Sequence, residues 1–123
     1  MNNLPHHLQL NEKEAIARVV TMLAETLTDN LAGVYLFGSK ARGDFHADSD
    51  VDLLIIVHEL DPDSRWQVRA KAADCSLQYD VLFNTHILDN TRWEYLEKHQ
   101  GTLWREVQRD GISLYDLATQ PAT

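Results

Sequence analysis

The run from Val51 to Val57 limits the fold of this chain more than any other stretch. It is rich in valine and isoleucine and too short for a helix, so it reads as a buried strand. A second strand, Val34 to Phe37, comes before it and stops at Gly38; Gly33 reads as the break before it. Helical spacing of Ile16, Val19, Val20, Leu23 and Leu27 predicts a helix over Asn11 to Asp29, with Asn11 and Glu14 as its capping box. Pro62 opens a weaker helix to about Asp74. Leu77, Tyr79, Val81 and Phe83 alternate with Gln78 and Asp80, which predicts a half-buried strand over Leu77 to Phe83. Thr91 with Glu94 starts a helix to about His99, Gly101 breaks it, and a last helix covers Thr102 to Asp110. Ile112 to Tyr115 is expected as an edge strand and Ala118 to Thr123 as a frayed tail. Helices alternating with strands give a mixed α/β fold. The 123 residues are expected to form one domain, with a core over about residues 11–117 and loose termini.

One residue disturbs the apolar run. Asp52 stands at its head, and a carboxylate beside a core is costly unless it is paired, hydrogen-bonded or bound to a metal. Asp50 faces the same way two residues earlier, with Cα atoms about 6.6 Å apart if both are extended. Two such carboxylates repel, and a divalent cation relieves the repulsion. Hard cations such as Mg²⁺ take oxygen ligands and share them with substrate phosphates. Upstream, Gly38-Ser39 follows directly on a strand and leads into Lys40-Ala41-Arg42-Gly43. Glycine leaves space for a phosphate against the backbone, the Ser39 hydroxyl adds a donor, and a helical turn from Ser39 aims N–H groups at the ligand. Arg42 is placed to brace the loop or to reach a phosphate. Each half also has a plain structural reading, as a turn and as a capped strand start. On the predicted third strand Asp80 is the candidate third carboxylate and general base, with Asp74 and Asp89 as alternatives at element ends. Three converging carboxylates hold two cations roughly 3.5–4 Å apart.

Composition narrows the ligand. Asp and Glu number 19 against 11 Lys and Arg, a net charge of -8, and no basic face suits long nucleic acid. A small phosphate compound carried by a cation remains compatible with that charge. The single cysteine, Cys75, forms no internal disulfide. No leader-like start and no run of about 18 apolar residues is present, so the expectation is a cytoplasmic protein without a membrane span.

Taken together, Gly38-Ser39-Lys40-Ala41-Arg42-Gly43 and Ser49-Asp50-Val51-Asp52-Leu53 resemble the signature of the minimal nucleotidyltransferases of the DNA polymerase beta superfamily. Every fixed position of the signature is present at the expected spacing. The resemblance implies Mg²⁺-dependent transfer of AMP from ATP, a nucleoside triphosphate, to a hydroxyl. It implies Asp50, Asp52 and Asp80 as catalytic metal ligands, and Gly38, Ser39, Arg42 and Gly43 as the nucleotide cradle. It further suggests the antitoxin branch, whose short members adenylylate a tyrosine of a partner HEPN-domain toxin. The chain has no room for the extra domain that forms the acceptor wall in small-molecule enzymes, so a partner protein is expected there. The alternatives are an antitoxin acting by binding alone and a nucleotidyltransferase acting on an antibiotic.

The six histidines show no metal-ligand spacing; His46, between cradle and carboxylates, reads first as a solvated loop residue. Cys75 is expected as a half-buried thiol before a strand. Trp66, Trp93 and Trp104 are expected to serve core packing or a protein contact, with Trp93 and Tyr95 as partner-facing candidates.

Overall fold

The computed structural model describes residues 4–44 and 49–114. Helix α1 spans Leu10–Leu27, and a short 3₁₀ turn leads into strand β1, Leu31–Phe37. A single helical turn, α2 (Ser39–Arg42), follows at once. Then come β2 (Val51–Val57), α3 (Pro62–Tyr79) and β3 (Phe83–Asp89). Two nine-residue helices, α4 (Asn90–Lys98) and α5 (Thr102–Asp110), precede the short strand β4, Ile112–Ser113. The sheet order is β3-β2-β1-β4. β1 runs antiparallel to β2 and β4, while β2 and β3 are parallel and joined through α3. This is the mixed α/β fold expected from the sequence.

Alternation along the central strands divides the core. Val34 and Leu36 of β1, with Val51, Leu53, Ile55 and Val57 of β2, face α1 and α3. They meet Ile16, Val19, Val20, Leu23 and Leu27 of α1 and Val68, Ala72 and Cys75 of α3. The opposite face is shallower: Phe37, Leu54, Ile56 and Val107 are its buried residues, with Tyr35, Trp93 and Leu103 packed on them. Burying a large aliphatic side chain contributes roughly 1.5–3 kcal/mol, so the α1/α3 face carries most of the fold's apolar stabilisation.

Several boundaries differ from those the sequence suggested. Helix α1 starts at Leu10, capped by Gln9, whose N–H donates to Glu12 Oε1 at 2.9 Å. Asn11 is inside the helix and donates Nδ2 to the Tyr79 carbonyl at 3.0 Å, which ties α1 to the end of α3. Gly33 lies within β1 beside an irregularity in the register with β2. Thr91 is not a cap: Asp89 precedes α4 and accepts from the Arg92 N–H at 2.7 Å. The strand predicted over Leu77 to Phe83 is the end of α3 and a link, and β3 begins at Phe83. Val68, Ala72, Cys75 and Tyr79 recur at helical spacing, and this buried stripe carries α3 past Asp74 to Tyr79. Cys75 therefore sits inside a helix, fully buried, with its Sγ 3.5 Å from Met22 Sδ. Burial pushes its thiol pKa up. β4 appears as expected at Ile112, while Tyr115, the tail and His46 lie outside the described residues. No helix among the described residues is long and apolar enough to cross a membrane.

Candidate active site

The site begins where β1 ends. Gly38 has φ +79°, a conformation that side-chain-bearing residues rarely adopt, and it turns the chain from β1 into α2. A Cβ at this position would lie 2.2 Å from Asp52 Oδ2. The absent side chain is thus the space in which the Asp52 carboxylate sits. Asp52 faces Phe37 across the β1–β2 ladder, and its side chain is on the shallow face of the sheet. Its other oxygen, Oδ1, accepts from Asn84 Nδ2 at 2.9 Å. Asn84 is opposite Asp52 in the parallel β2–β3 register, and Nδ2 lies 3.4 Å from His86 Nε2. The His86 ring tilts against Phe37, with centroids 5.4 Å apart. Asp50 stands exposed immediately before β2.

Helix α2 closes the cradle. The Ala41 and Arg42 N–H groups both donate to the Gly38 carbonyl at 3.1 Å, and Gly43 (φ +96°) ends the turn. The Ser39 hydroxyl makes no hydrogen bond among the described residues and lines the groove. Arg42 serves as the brace. Its Nε donates to both Asp44 oxygens at 3.1 and 3.2 Å, and its Nη1 donates to Asp110 Oδ2 at 3.1 Å. The hydrogen bond to Asp44, then that to Asp110, raises the Arg42 pKa further. Asp110, held mainly by Arg109 and then by Arg42, titrates below the usual carboxylate range. The arginine ends of these bridges are open to solvent, which limits their stabilisation; their effect is to fix the loop against α5.

Lys40, the variable residue of the motif, turns away from the groove. Its side chain is buried, and Nζ meets Glu12 Oε2 at 2.6 Å. Removing one member of a buried ion pair leaves an uncompensated charge, so this contact anchors the cradle to the first turn of α1. His7 adds a second tie, through a hydrogen bond between its Nε2 and the Lys40 carbonyl.

Phe37, Gly38, Ser39, Arg42 and Asp52 border one groove of about 400 Å³, together with Asn84, His86 and Glu106. Gly38, Ser39, Arg42 and Asp52 were expected at such a site. Asp80 does not join them. It caps α3 in a left-handed conformation (φ 56°), which Asp tolerates better than most residues, and borders a separate cleft with Asn11, Glu12 and Ser49. Among the described residues no three Asp, Glu, His or Cys side chains converge as metal ligands. Asp74 lies within α3, and Asp89 is committed to capping α4. Asn84, His86 and Glu106 escaped the sequence reading because β3 was placed too early. Started at Phe83, the strand carries Asn84 and His86 as alternate polar residues beside Asp52. The donor chemistry suits Mg²⁺: Asp50 and Asp52 offer hard carboxylate oxygens of the kind it takes, and Asp52 is held in one orientation between Gly38 and Asn84.

A larger groove, about 570 Å³, lies at the other end of β2 and β3 among Pro62, Arg65, Trp66 and Arg69. Its two carboxylates, Asp61 and Asp89, each accept a helix N-terminal N–H at 2.7 Å. The groove contains none of the motif residues. Trp66 is 69% exposed there, so it packs in no core. Trp93 instead stacks on Tyr35 at 6.4 Å.

The family pattern described as "Polymerase beta, Nucleotidyltransferase" matches residues 20–120. A Methanocaldococcus jannaschii chain named as a candidate protein adenylyltransferase is 31% identical over 106 residues, covering 86% of this chain and 100% of its own length. A second such chain from that organism is 43% identical over 70 residues, covering 56% of this chain and 71% of its own length. Among solved structures, an Enterococcus spectinomycin adenylyltransferase with ATP and spectinomycin superposes with a TM-score of 0.67 at 21% identity. That likeness extends over 84% of this chain and 55% of the enzyme, so this chain spans about half the enzyme's length; the match is one of fold. A toxin–antitoxin structure with AMP-PNP gives a TM-score of 0.53 at 25% identity, covering 85% of this chain and 74% of its own.

Proposed function

The chain belongs to the polymerase beta nucleotidyltransferase family, and from that premise we propose that it transfers AMP from ATP to a tyrosine hydroxyl of a partner HEPN-domain toxin. The observation that carries this reading is the packing of Asp52 into the space left by Gly38. It brings the phosphate-side turn and the carboxylate strand together at one groove. Relatives named as candidate protein adenylyltransferases support a protein acceptor, and the toxin–antitoxin likeness supports an antitoxin role. A cytoplasmic location goes with that role.

In this reading Asp50 and Asp52 hold Mg²⁺, which when bound neutralises triphosphate charge and steadies the leaving group. Ser39 and the start of α2 receive the phosphates, Gly38 makes the turn and the room for Asp52, and Arg42 holds the cradle in shape. The acceptor oxygen forms a bond to the α-phosphorus, the bond from that phosphorus to the bridging oxygen breaks, and pyrophosphate leaves. The hydroxyl proton passes to water or to a carboxylate bordering the groove.

The test is incubation of the purified protein with Mg²⁺, α-labelled ATP and a purified HEPN-domain toxin. Label is expected on a toxin tyrosine, and Asp50→Asn with Asp52→Asn is expected to reduce the rate by at least about a thousandfold. Labelling that survives the double variant sinks the proposed site. A double variant that labels nothing yet still protects cells fully favours neutralisation by binding. Label that appears only on small hydroxylated antibiotics favours the third reading.

A further inference from the structure

We propose that Asn84 supplies the third oxygen of the cation site and fixes Asp52 for it. The family resemblance leads one to expect a carboxylate there. This inference rests on the reading of Asp50 and Asp52 as cation ligands.

Asp52 and Asn84 are paired residues of adjacent parallel strands, on the same face of the sheet and lining the same groove. A carboxylate oxygen accepts only, so it selects the amide's NH₂ end as its neighbour. Asn84 Nδ2 accordingly donates to Asp52 Oδ1 at 2.9 Å, and the same nitrogen stands 3.4 Å from His86 Nε2. With the nitrogen's hydrogens engaged, the amide oxygen has no hydrogen-bond partner among the described residues. A free carbonyl-type oxygen beside a carboxylate is a hard ligand of the kind Mg²⁺ and Mn²⁺ accept. Asp80, the carboxylate that the sequence offered, is at the α3 cap and borders another cleft.

The substitution changes the charge arithmetic of the site. Two carboxylates and an amide carry two negative charges where three carboxylates carry three. Such a site holds a free divalent cation more weakly and depends more on the cation arriving with a triphosphate. Restoring the third charge should therefore tighten binding in the absence of nucleotide, a gain that misfolding cannot imitate.

The experiment is a Mn²⁺ titration of the nucleotide-free full chain, followed by electron paramagnetic resonance. Asn84→Asp is expected to bind Mn²⁺ about tenfold more tightly than the parent, and Asn84→Leu about tenfold more weakly, the usual scale for residues that orient metal ligands. Asp80→Asn is expected to leave the affinity unchanged. Circular dichroism melts establish that each variant is folded. A parent that takes up no Mn²⁺, an affinity indifferent to residue 84, or a loss with Asp80→Asn equal to that with Asn84→Leu overturns the proposal. None of these readouts involves an acceptor. A chain that binds Mn²⁺ as described but labels no toxin refutes the proposed acceptor and leaves Asn84 standing.

Discussion

The two faces of the sheet are built to different depths. Behind it, α1 and α3, each 18 residues long, cover Leu36, Leu53, Ile55 and Val57 with a continuous apolar layer. In front, α4 buries no residue fully and α5 buries only Val107, against Phe37, Leu54 and Ile56. The groove side chains Asp52, Asn84 and His86 are all on this thinner face. A well-packed layer holds strands in fixed register, as β2 and β3 require if Asp52 and Asn84 are to meet. A shallow layer leaves an open groove beside Asp52, the groove to which we assign the nucleotide and its acceptor.

The contrast can be broken by substitution. The largest stability effect is expected from Glu12→Gln, which takes the Glu12 charge away from the buried Lys40 ammonium. The loss should be about 3–5 kcal/mol in chemical denaturation. Leu53→Ala, on the deep face, should cost about 2–5 kcal/mol. Val107→Ala, on the shallow face, removes two carbons and should cost about 1.5 kcal/mol. If Val107→Ala proves as damaging as Leu53→Ala, the two faces are not different in kind.

The smallest effect is in acid. Asp110 titrates below its ordinary 3.8 when folded, so its stabilising contribution is complete above about pH 4. That contribution disappears as the pH falls through the lowered folded value. Melting temperatures of the parent and Asp110→Asn should therefore differ most near neutrality and converge as the pH falls through the lowered folded value. Curves that diverge on acidification would contradict the assignment.

How far the sequence could be read depended on how local each signal was. The strands around Gly38 and Asp52 and the helices around Gly101 are marked by neighbouring residues, and they lie close to where the sequence put them. The stretch after Asp74 misled because two periods overlap there. Leu77, Tyr79, Val81 and Phe83 alternate as a strand would, yet Leu77 is 87% exposed. The stripe that prevails is Val68, Ala72, Cys75 and Tyr79, whose two small middle members make it faint in sequence. With that boundary displaced, Asp80 took the place of Asn84 as a neighbour of Asp52. The Glu12–Lys40 pair had no signal at all, since nothing local links two charges 28 residues apart.

Position 38 also bears on how this lineage can vary. Any side chain there would stand in the volume that Asp52 Oδ2 now fills, so glycine at 38 and a working acid at 52 must be inherited together. A descendant that had given up chemistry and kept only its grip on a partner would be released from that bond. The backbone at 38, with φ +79°, would still favour glycine, so a larger residue there would mark a chain that had lost the turn as well as the place for the carboxylate.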